Sequence, residues 1–392
     1  MMDFRFPLAT STWGNEEQDA LQRVIQSGMF TMGPYVRAFE RDFADYLGCG
    51  YCVMVNSGSS ANLLMIAALF YTNNPQLKLR RGDEVIVPAV SWSTTYYPLY
   101  QYGLKLKFVD IDRETLNFDL NQLRQSINDK TRCIMAVNLL GNPNDFDQIG
   151  RITADRRIVL LEDNCESLGA RFKGKYTGTF GVMGTFSSFF SHHISTMEGG
   201  MIVTSDEELY HILLSLRAHG WTRNLPRINH VSGVKKDDPF DESFHFVLPG
   251  YNVRPLELAG AVGIEQLKKL PRLIDERRKN GVLLQQSLGN HPWMSIQREI
   301  GESSWFGFSL VLRPGCGVHR SQLIAKLTEL GIECRPIVAG NFTKNEVIRY
   351  FEYEIYGHLH NADHLDKYGI FIGNQHYPIP EVFDVLASLH IQ

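Results

Sequence analysis

Seven short runs of β-branched and apolar residues, separated by segments with helical periodicity, occupy the stretch between about residues 50 and 205. Short apolar runs that alternate with helical segments are typical of a mainly parallel sheet covered by helices on both faces. We therefore predict an α/β fold whose large domain contains a seven-stranded, mainly parallel sheet. The seven runs are YCVMVN, DEVIVPAV, LKFVDID, RCIMAVN, RIVLLED, GTFSSFF and GMIVTS.

The pattern changes near residue 250. A long helical segment begins at PLELAGAVGIEQLKKL and is followed by the apolar run WFGFSLVL and by a second helical segment, SQLIAKLTELG. This succession predicts a smaller α+β domain, with the long helix as the bridge to the large one. We predict a division into residues 1–250, an N-terminal arm with the large domain, and residues 251–392, the small C-terminal domain.

Composition argues against several classes of protein. The 392 residues carry a formal net charge of −4, so the chain offers no basic field for a nucleic acid backbone. The longest apolar runs, such as LLMIAALF, fall short of the roughly 18 to 20 residues that a membrane span needs. Apart from one Cys49–Cys52 pair the cysteines are isolated, which disfavours a disulfide framework, a metal site and an iron–sulfur cluster. We therefore expect no metal. Because the first residues also lack the layout of a signal peptide, we expect a cytoplasmic protein.

A candidate phosphate-binding turn, NSGSSAN at residues 56–62, lies between the first predicted strand and the apolar helix LLMIAALF. Gly58 permits a tight turn, and Ser59 places a hydroxyl group at the helix N-terminus. Free N–H groups and the positive end of the helix dipole favour an anion at that point. Serine and asparagine also cap ordinary helices, so a purely structural turn stays open as the alternative.

Two further candidates follow strand ends. Asp163, in IVLLEDNCES, comes after a buried run, where a carboxylate needs a cationic partner, and the alternative is a salt bridge or a helix N-cap. Trp92, in VPAVSWSTT, can lay its flat face on a planar ring, although most tryptophans at such places belong to the core. A phosphate turn, a flat aromatic and a carboxylate able to hold a protonated ring nitrogen together describe a pyridoxal-phosphate pocket at the strand ends of one sheet.

The motifs NSGSSAN, PAVSW, LLEDNCESLGA, GTFSSFF and EGGMIVT, in this order, resemble the fold-type-I pyridoxal-phosphate enzymes of the sugar aminotransferase group. The resemblance runs over nearly the whole chain and implies an aspartate aminotransferase-like fold with the cofactor in the large domain. It implies that Asp163 pairs with the pyridine nitrogen, that Trp92 stacks on the ring, and that Asn252 reaches the neighbour's phosphate in a homodimer. The other cofactor contacts that it implies are Gly58, Ser59, Glu166, Ser187 and Ser191.

Histidine stands where this group carries its cofactor-binding lysine. The resemblance implies a lysine about 30 positions after the aspartate, where it forms a Schiff base. His192 lies 29 positions after Asp163, and no lysine occurs between Lys175 and Lys235. Imidazole cannot form a Schiff base, but its ordinary pKa of about 6.5 suits it to move protons. We therefore predict that His192 is the catalytic base and that the cofactor is held without a covalent bond, resting as pyridoxamine phosphate. His193 is expected to be packed or hydrogen-bonded, because adjacent side chains do not both face one ligand in a regular element.

The replacement resembles the 3-dehydratases of deoxysugar biosynthesis. That resemblance implies removal of the C3 hydroxyl group of GDP-4-keto-6-deoxy-D-mannose, with ammonia released and the amine form of the cofactor restored by L-glutamate. Some relatives of this kind add an iron–sulfur cluster, for which the isolated cysteines offer no ligands. Candidate contacts to the GDP-sugar are His219, which can equally be a core histidine, and three arginines that can equally be structural: Arg223, Arg254 and Arg335.

Two rival interpretations stay open. One is a nucleotide-sugar 4-aminotransferase of the perosamine synthase type, which the missing lysine disfavours. The other is a silent binding or regulatory protein that lost its lysine. The second is disfavoured because Asp163, Trp92 and the serines of the predicted pocket are all present.

Overall fold

The computed structural model describes residues 4–154 and 156–389. The bounds of its strands follow in chain order. They are β1 (Tyr51–Val55), β2 (Glu84–Pro88), β3 (Lys105–Val109), β4 (Thr131–Val137), β5 (Val159–Asp163), β6 (Arg171–Phe172), β7 (Lys175–Tyr176), β8 (Met183–Ser187), β9 (Gly200–Thr204), β10 (Ile228–Asn229), β11 (Gly233–Val234), β12 (Met294–Ser295), β13 (Gly307–Leu312), β14 (Cys334–Arg335), β15 (Tyr353–Ile355) and β16 (Gly369–Gly373).

The large sheet has eight strands in the order β1-β9-β8-β5-β4-β2-β3-β15. All seven predicted runs belong to it, and the eighth strand, β15, comes from the C-terminal part of the chain and was not predicted. Strand β9 runs antiparallel to both of its neighbours, whereas every other neighbouring pair is parallel, which confirms a mainly parallel sheet. Every strand except β9 therefore ends at the same edge of the sheet, and β9 begins there.

Helices pack around this sheet. The helix after β1 is apolar on nearly every side, which is typical of a helix buried all round, and its Leu64, Met65 and Ile66 are fully buried. The helices are α1 (Asn15–Ser27), α2 (Pro34–Leu47), α3 (Gly58–Tyr71), α4 (Ser93–Gln101), α5 (Leu120–Ser126), α6 (Phe146–Thr153), α7 (Glu207–Arg217), α8 (Pro239–Glu242), α9 (Glu257–Leu288), α10 (Arg320–Glu329), α11 (His360–Tyr368) and α12 (Pro380–Ala387).

A second, antiparallel sheet has the strand order β12-β13-β16-β14. Helix α9 is 32 residues long and packs against α1 and α2 at one end and α12 at the other, so it links the N-terminal helices with the smaller sheet. Residues 251–392 thus supply the smaller sheet and also β15 of the large one. The boundary at residue 250 stays a prediction.

Two kinds of feature are missing from the part of the chain that the structure describes. None of its helices is both long enough and apolar enough to cross a membrane. Its histidine, cysteine and carboxylate side chains likewise form no group of three or more that could hold a metal ion.

A buried ion pair ties α2 to β1 and α7. Glu40 and Arg217 are both buried and bond to each other. Each also bonds to the backbone of Met54, whose N–H donates to Glu40 Oε1 at 2.7 Å and whose carbonyl accepts from Arg217 Nη1 at 2.7 Å. The pair therefore fixes strand β1 against helices α2 and α7.

Replacing Arg217 by methionine should leave the Glu40 carboxylate buried without its partner. We expect R217M to lower the free energy of unfolding by about 3–5 kcal/mol in a urea titration followed by fluorescence. The double variant Glu40→Gln, Arg217→Met is the control, and it should regain part of the loss because no buried charge is left alone. Unfolding of R217M at the urea concentration of the unsubstituted protein would contradict this account.

Candidate active site

A cavity of about 520 Å³ opens at the edge where the strands of the large sheet end. Its walls come from the segments after β1, β2, β5 and β8, and the C-terminal part of the chain adds Phe306, Arg335, Pro336 and Val338. The structure brings most of the predicted site residues together here. Those that line the cavity are Gly58, Ser59, Trp92, Asp163, Glu166, Ser187, Ser191, His192 and Arg335.

Asp163 is the last residue of β5 and is only 5% exposed. Its Oδ2 accepts hydrogen bonds from Asn62 Nδ2 at 2.9 Å and Thr95 Oγ1 at 2.8 Å, and its Oδ1 accepts one from the N–H of Cys165 at 3.1 Å. Three donors fix the carboxylate in one orientation, and Oδ1, with a single donor, can accept another. The arrangement suits a carboxylate that receives a proton-bearing ring nitrogen from the cavity.

The N-terminus of α3 forms a pocket for an anion. Ser57 caps the helix by accepting a hydrogen bond from the N–H of Ser60 at 3.1 Å, and Gly58 and Ser59 begin it. A Cβ atom on Gly58 would lie 2.7 Å from Cβ of Ser187, so the close approach of these two segments requires glycine. Ser59, Ser187 and the start of a 14-residue helix thus line the same cavity, and a helix N-terminus favours an anion.

The two adjacent histidines have different surroundings. His192 lines the cavity, its Nδ1 has no hydrogen-bond partner, and its ring centre lies 5.1 Å from that of Phe306. Burial, with added effects from Arg335 and Arg277, lowers the pKa of His192 to about 3, so its imidazole is neutral near pH 7 and accepts protons. His193 is 1% exposed, with Nε2 at 3.1 Å from the carbonyl oxygen of Ser304, and lies in the core.

Trp92 and Glu166 complete the inner wall. Trp92 precedes α4 and is 57% exposed, so one side of its indole is free to face a ligand. Glu166 Oε2 accepts a hydrogen bond from the N–H of Leu140 at 3.1 Å, and burial raises the pKa of Glu166 to about 7. This carboxyl group can therefore donate or accept a hydrogen bond near neutral pH.

Four predicted site residues do not line the cavity of this chain. They gather instead around Trp221, with Arg223 4.0 Å and Arg254 5.8 Å from the centre of its ring. The ring of His219 lies 5.1 Å from that of Trp221, and Arg254 Nε donates a hydrogen bond to Asn252 Oδ1 at 3.0 Å. We call Asn252, His219, Trp221, Arg223 and Arg254 the Trp221 cluster.

Sequence reasoning assigned no individual role to three residues that shape the site, although Asn62 ends the NSGSSAN motif. Asn62 and Thr95 hold Asp163, and both are 1% exposed. A single amide in the otherwise apolar helix α3 was the available signal for Asn62, and the hydroxyl-rich start of α4 was the signal for Thr95. Phe306 lies more than a hundred residues from His192 in sequence, and no local pattern marks it.

These residues fit a pyridoxal-phosphate cofactor. The carboxylate of Asp163, the exposed face of Trp92 and the serine-rich helix N-terminus match its ring nitrogen, its ring and its phosphate. None of the described residues that line the cavity is a lysine. The cavity therefore offers non-covalent contacts to such a group and no amine for a Schiff base.

Comparisons with known proteins agree with this geometry. The chain is 62% identical to a GDP-4-keto-6-deoxy-D-mannose 3-dehydratase of Yersinia pseudotuberculosis, over 98% of each protein. Two solved structures of GDP-4-keto-6-deoxymannose-3-dehydratase are 60% identical to it, with TM-scores of 0.96, and each match covers 98% of this chain and 99% of the other. One is a histidine-to-asparagine variant with bound GDP-perosamine, and the other holds a trapped PLP-glutamate geminal diamine.

The structural likeness confirms the predicted fold. The family model described as DegT/DnrJ/EryC1/StrS aminotransferase family matches residues 11–376, nearly the whole of the chain. The chain therefore belongs to the DegT/DnrJ/EryC1/StrS aminotransferase family.

Proposed function

We propose that the chain is a pyridoxal-phosphate-dependent dehydratase that removes the C3 hydroxyl group of GDP-4-keto-6-deoxy-D-mannose. The products are GDP-4-keto-3,6-dideoxy-D-mannose and ammonia, and L-glutamate returns the cofactor to its amine form after each turnover. The observation that carries the proposal is the neutral imidazole of His192 on the wall of a cavity whose lining includes no lysine among the described residues. The 62% identity to a 3-dehydratase supports the substrate and the reaction.

The residues of the cavity would hold the cofactor in three places. Asp163 would accept a hydrogen bond from the ring nitrogen, Trp92 would cover one face of the ring, and Glu166 would bond to a polar group of the cofactor. The residues that would hold the phosphate at the N-terminus of α3 are Gly58, Ser59, Ser187 and Ser191, all of which line the cavity. When bound, the cofactor supplies the amine that condenses with the C4 ketone, the electron sink for an adjacent carbanion and the two electrons that deoxygenation requires.

His192 carries the proton transfers. With the cofactor bound, its neutral imidazole would accept a proton from a carbon atom beside the cofactor's amine. The imidazolium that results is buried beside two arginines and gives its proton up readily, so it can protonate the C3 hydroxyl group as that group leaves. One side chain thus serves as base and then as acid, and each turnover returns it to its neutral form.

The residues outside the cavity support a shared site in a homodimer. Two strongly exposed aromatic side chains border the Trp221 cluster, since Phe244, 67% exposed, and Phe246, 56% exposed, each have a ring centre 6.3 Å from that of Trp221. A second copy of the chain would cover these rings and bring Asn252 and the arginines of the cluster to the neighbouring cavity.

Asp163→Asn chains mixed with Asn252→Ala chains should then regain activity that neither variant has alone, because a mixed dimer contains one site with both residues intact. A mixture that stays inactive would contradict the shared site.

The chemistry also bears on where the protein works. All six cysteines are unpaired in the structure, which agrees with a reducing compartment. We infer a cytoplasmic enzyme that needs neither a metal nor an iron–sulfur cluster and binds neither nucleic acid nor a membrane. Dialysis against a metal chelator is the simplest test, and loss of dehydration activity after it would contradict the metal-free mechanism.

Product analysis tests the proposed function. The purified chain, with pyridoxamine phosphate, L-glutamate and GDP-4-keto-6-deoxy-D-mannose, should yield a nucleotide sugar that has lost one oxygen atom, and one ammonia for each sugar converted. Mass spectrometry identifies the nucleotide sugar, and an ammonia assay measures the ammonia released. A 4-amino sugar without ammonia release would instead favour the aminotransferase alternative.

The two histidines can be separated by matched substitutions. We expect His192→Asn to lower kcat by about 10²–10⁴-fold, because the imidazole proposed to move the proton is removed, while pyridoxamine phosphate binds about as tightly as before. His193→Asn should keep kcat within about tenfold and lower the temperature of unfolding, because it disturbs only a buried contact to Ser304. Equal turnover in both variants would remove His192 from the mechanism.

The proposed bond between Asp163 and the ring nitrogen can be tested by substitution. Asp163→Asn keeps the size of the side chain but removes its charge, so we expect kcat to fall by about 10²-fold or more with the fold intact by circular dichroism. Thr95→Val, which removes one of the three donors to Asp163, is the control and should cost much less. Near-normal turnover in the Asp163→Asn variant would show that this carboxylate has another purpose.

A further inference from the structure

A short segment of the C-terminal part, residues 303–306, borders both histidines, and Trp305 holds a positive φ of 46° within it. Four successive backbone carbonyl groups of this segment accept hydrogen bonds from side chains, which fixes its position despite the strained backbone. The donors are Arg278 Nε to Ser303 at 3.0 Å, His193 Nε2 to Ser304 at 3.1 Å, Asn374 Nδ2 to Trp305 at 2.8 Å and Arg277 Nη1 to Phe306 at 3.0 Å.

Arg277 differs from the other donors because it is a buried cation. It lies on α9 and is 4% exposed, and its Nη1 also donates to the carbonyl of Asn374 at 2.9 Å. No carboxylate within the described ranges pairs with its guanidinium, and its Nε has no partner. Burial lowers the pKa of Arg277 to about 10, so the group is still charged near pH 7. An unpaired buried cation is costly, and carbonyl dipoles alone compensate this one.

The charge of Arg277 acts on the histidine that faces the cavity. Phe306, whose carbonyl it holds, packs on His192 with 5.1 Å between ring centres. After burial, Arg335 and Arg277 are the groups that lower the pKa of His192. The charged or titratable groups around His192 are Asp163, Cys165, Glu166, Glu198 and Arg335 in the cavity wall, His193 beside it in the chain, and Arg277 behind Phe306.

We propose that Arg277 is a positioning residue for the reaction, which holds Phe306 against the imidazole of His192 and places an uncompensated positive charge behind that contact. The inference rests on the proposed role of His192 as the base. A cation placed behind the base, out of reach of substrate, makes the protonated form unfavourable at every stage. It weakens the imidazole as a base, but it leaves the imidazole free of a proton in the resting enzyme and makes the imidazolium a stronger acid once it has formed.

Substitutions at Arg277 separate its charge from its hydrogen bonds. Arg277→Gln keeps a donor and removes the charge, whereas Arg277→Lys keeps the charge. Arg278→Gln is the matched control, because Arg278 is the next residue on α9 and also bonds to the 303–306 segment, but it has Glu302 as a partner 3.6 Å away. His192→Asn identifies the signal of His192 in the spectra.

The first measurement is an NMR titration of imidazole-labelled histidine in the full chain without substrate. His192 should stay neutral down to about pH 5 in the unsubstituted, Arg277→Lys and Arg278→Gln proteins, and its titration should move upward in Arg277→Gln. In the holoenzyme, kcat/KM of Arg277→Gln should fall by about threefold or more between pH 8 and about pH 5.5, with no comparable fall in the Arg278→Gln control.

The titration needs no turnover, so it remains informative even if product analysis rejects the dehydratase function. Titration of His192 near its ordinary pKa in the unsubstituted protein would overturn the proposal. So would a titration in Arg277→Gln that coincides with that of the unsubstituted protein. If Arg277→Gln does not fold, Arg277→Lys decides: a neutral His192 at about pH 5 supports the proposal, and a protonated one overturns it.

Discussion

The buried carboxylate of Asp163 is held by donors from two helices, and that interaction fixes the geometry of the whole site. Strand β5 delivers the carboxylate to the edge of the sheet, and Asn62 of α3 and Thr95 of α4 both bond to its Oδ2. Because Asn62 is the fifth residue of α3 and Thr95 the third residue of α4, the same contacts hold the N-terminus of α3 and the region of Trp92 beside Asp163. The carboxylate of Asp163 and the N-terminus of α3 therefore keep a fixed distance through contacts within the chain itself.

The wall of the cavity that contains His192 determines which chemistry the site performs. Phe306 and Arg335, both from the C-terminal part of the chain, face the cavity beside His192 and surround its imidazole with apolar surface and positive charge. A lysine in this place would tie the cofactor to the chain and carry an amine through the reaction. An imidazole kept neutral can only move protons, which favours loss of the C3 hydroxyl group over amine transfer.

Much of this arrangement could be predicted from the sequence, because buried parallel strands are apolar throughout and their polar ends mark the site. The seven central strands, Asp163 and His192 belong to this part. Strand β15 could not be predicted, since its three exposed residues at the sheet edge carry no apolar run. Asn62 and Thr95 resemble ordinary helix-start residues, and only the packing of distant segments places Phe306 and Arg277 near His192. The position of the Trp221 cluster outside the cavity also follows from the tertiary structure alone.

The central claim is that this cavity holds its cofactor by shape and charge alone, with histidine in place of the tethering lysine. Borohydride reduction of the holoenzyme, followed by denaturation and mass spectrometry of the intact chain and its peptides, tests this directly. The account predicts a chain of unmodified mass, with all of the cofactor recovered in the small-molecule fraction. A lysine peptide that carries the reduced cofactor would contradict it.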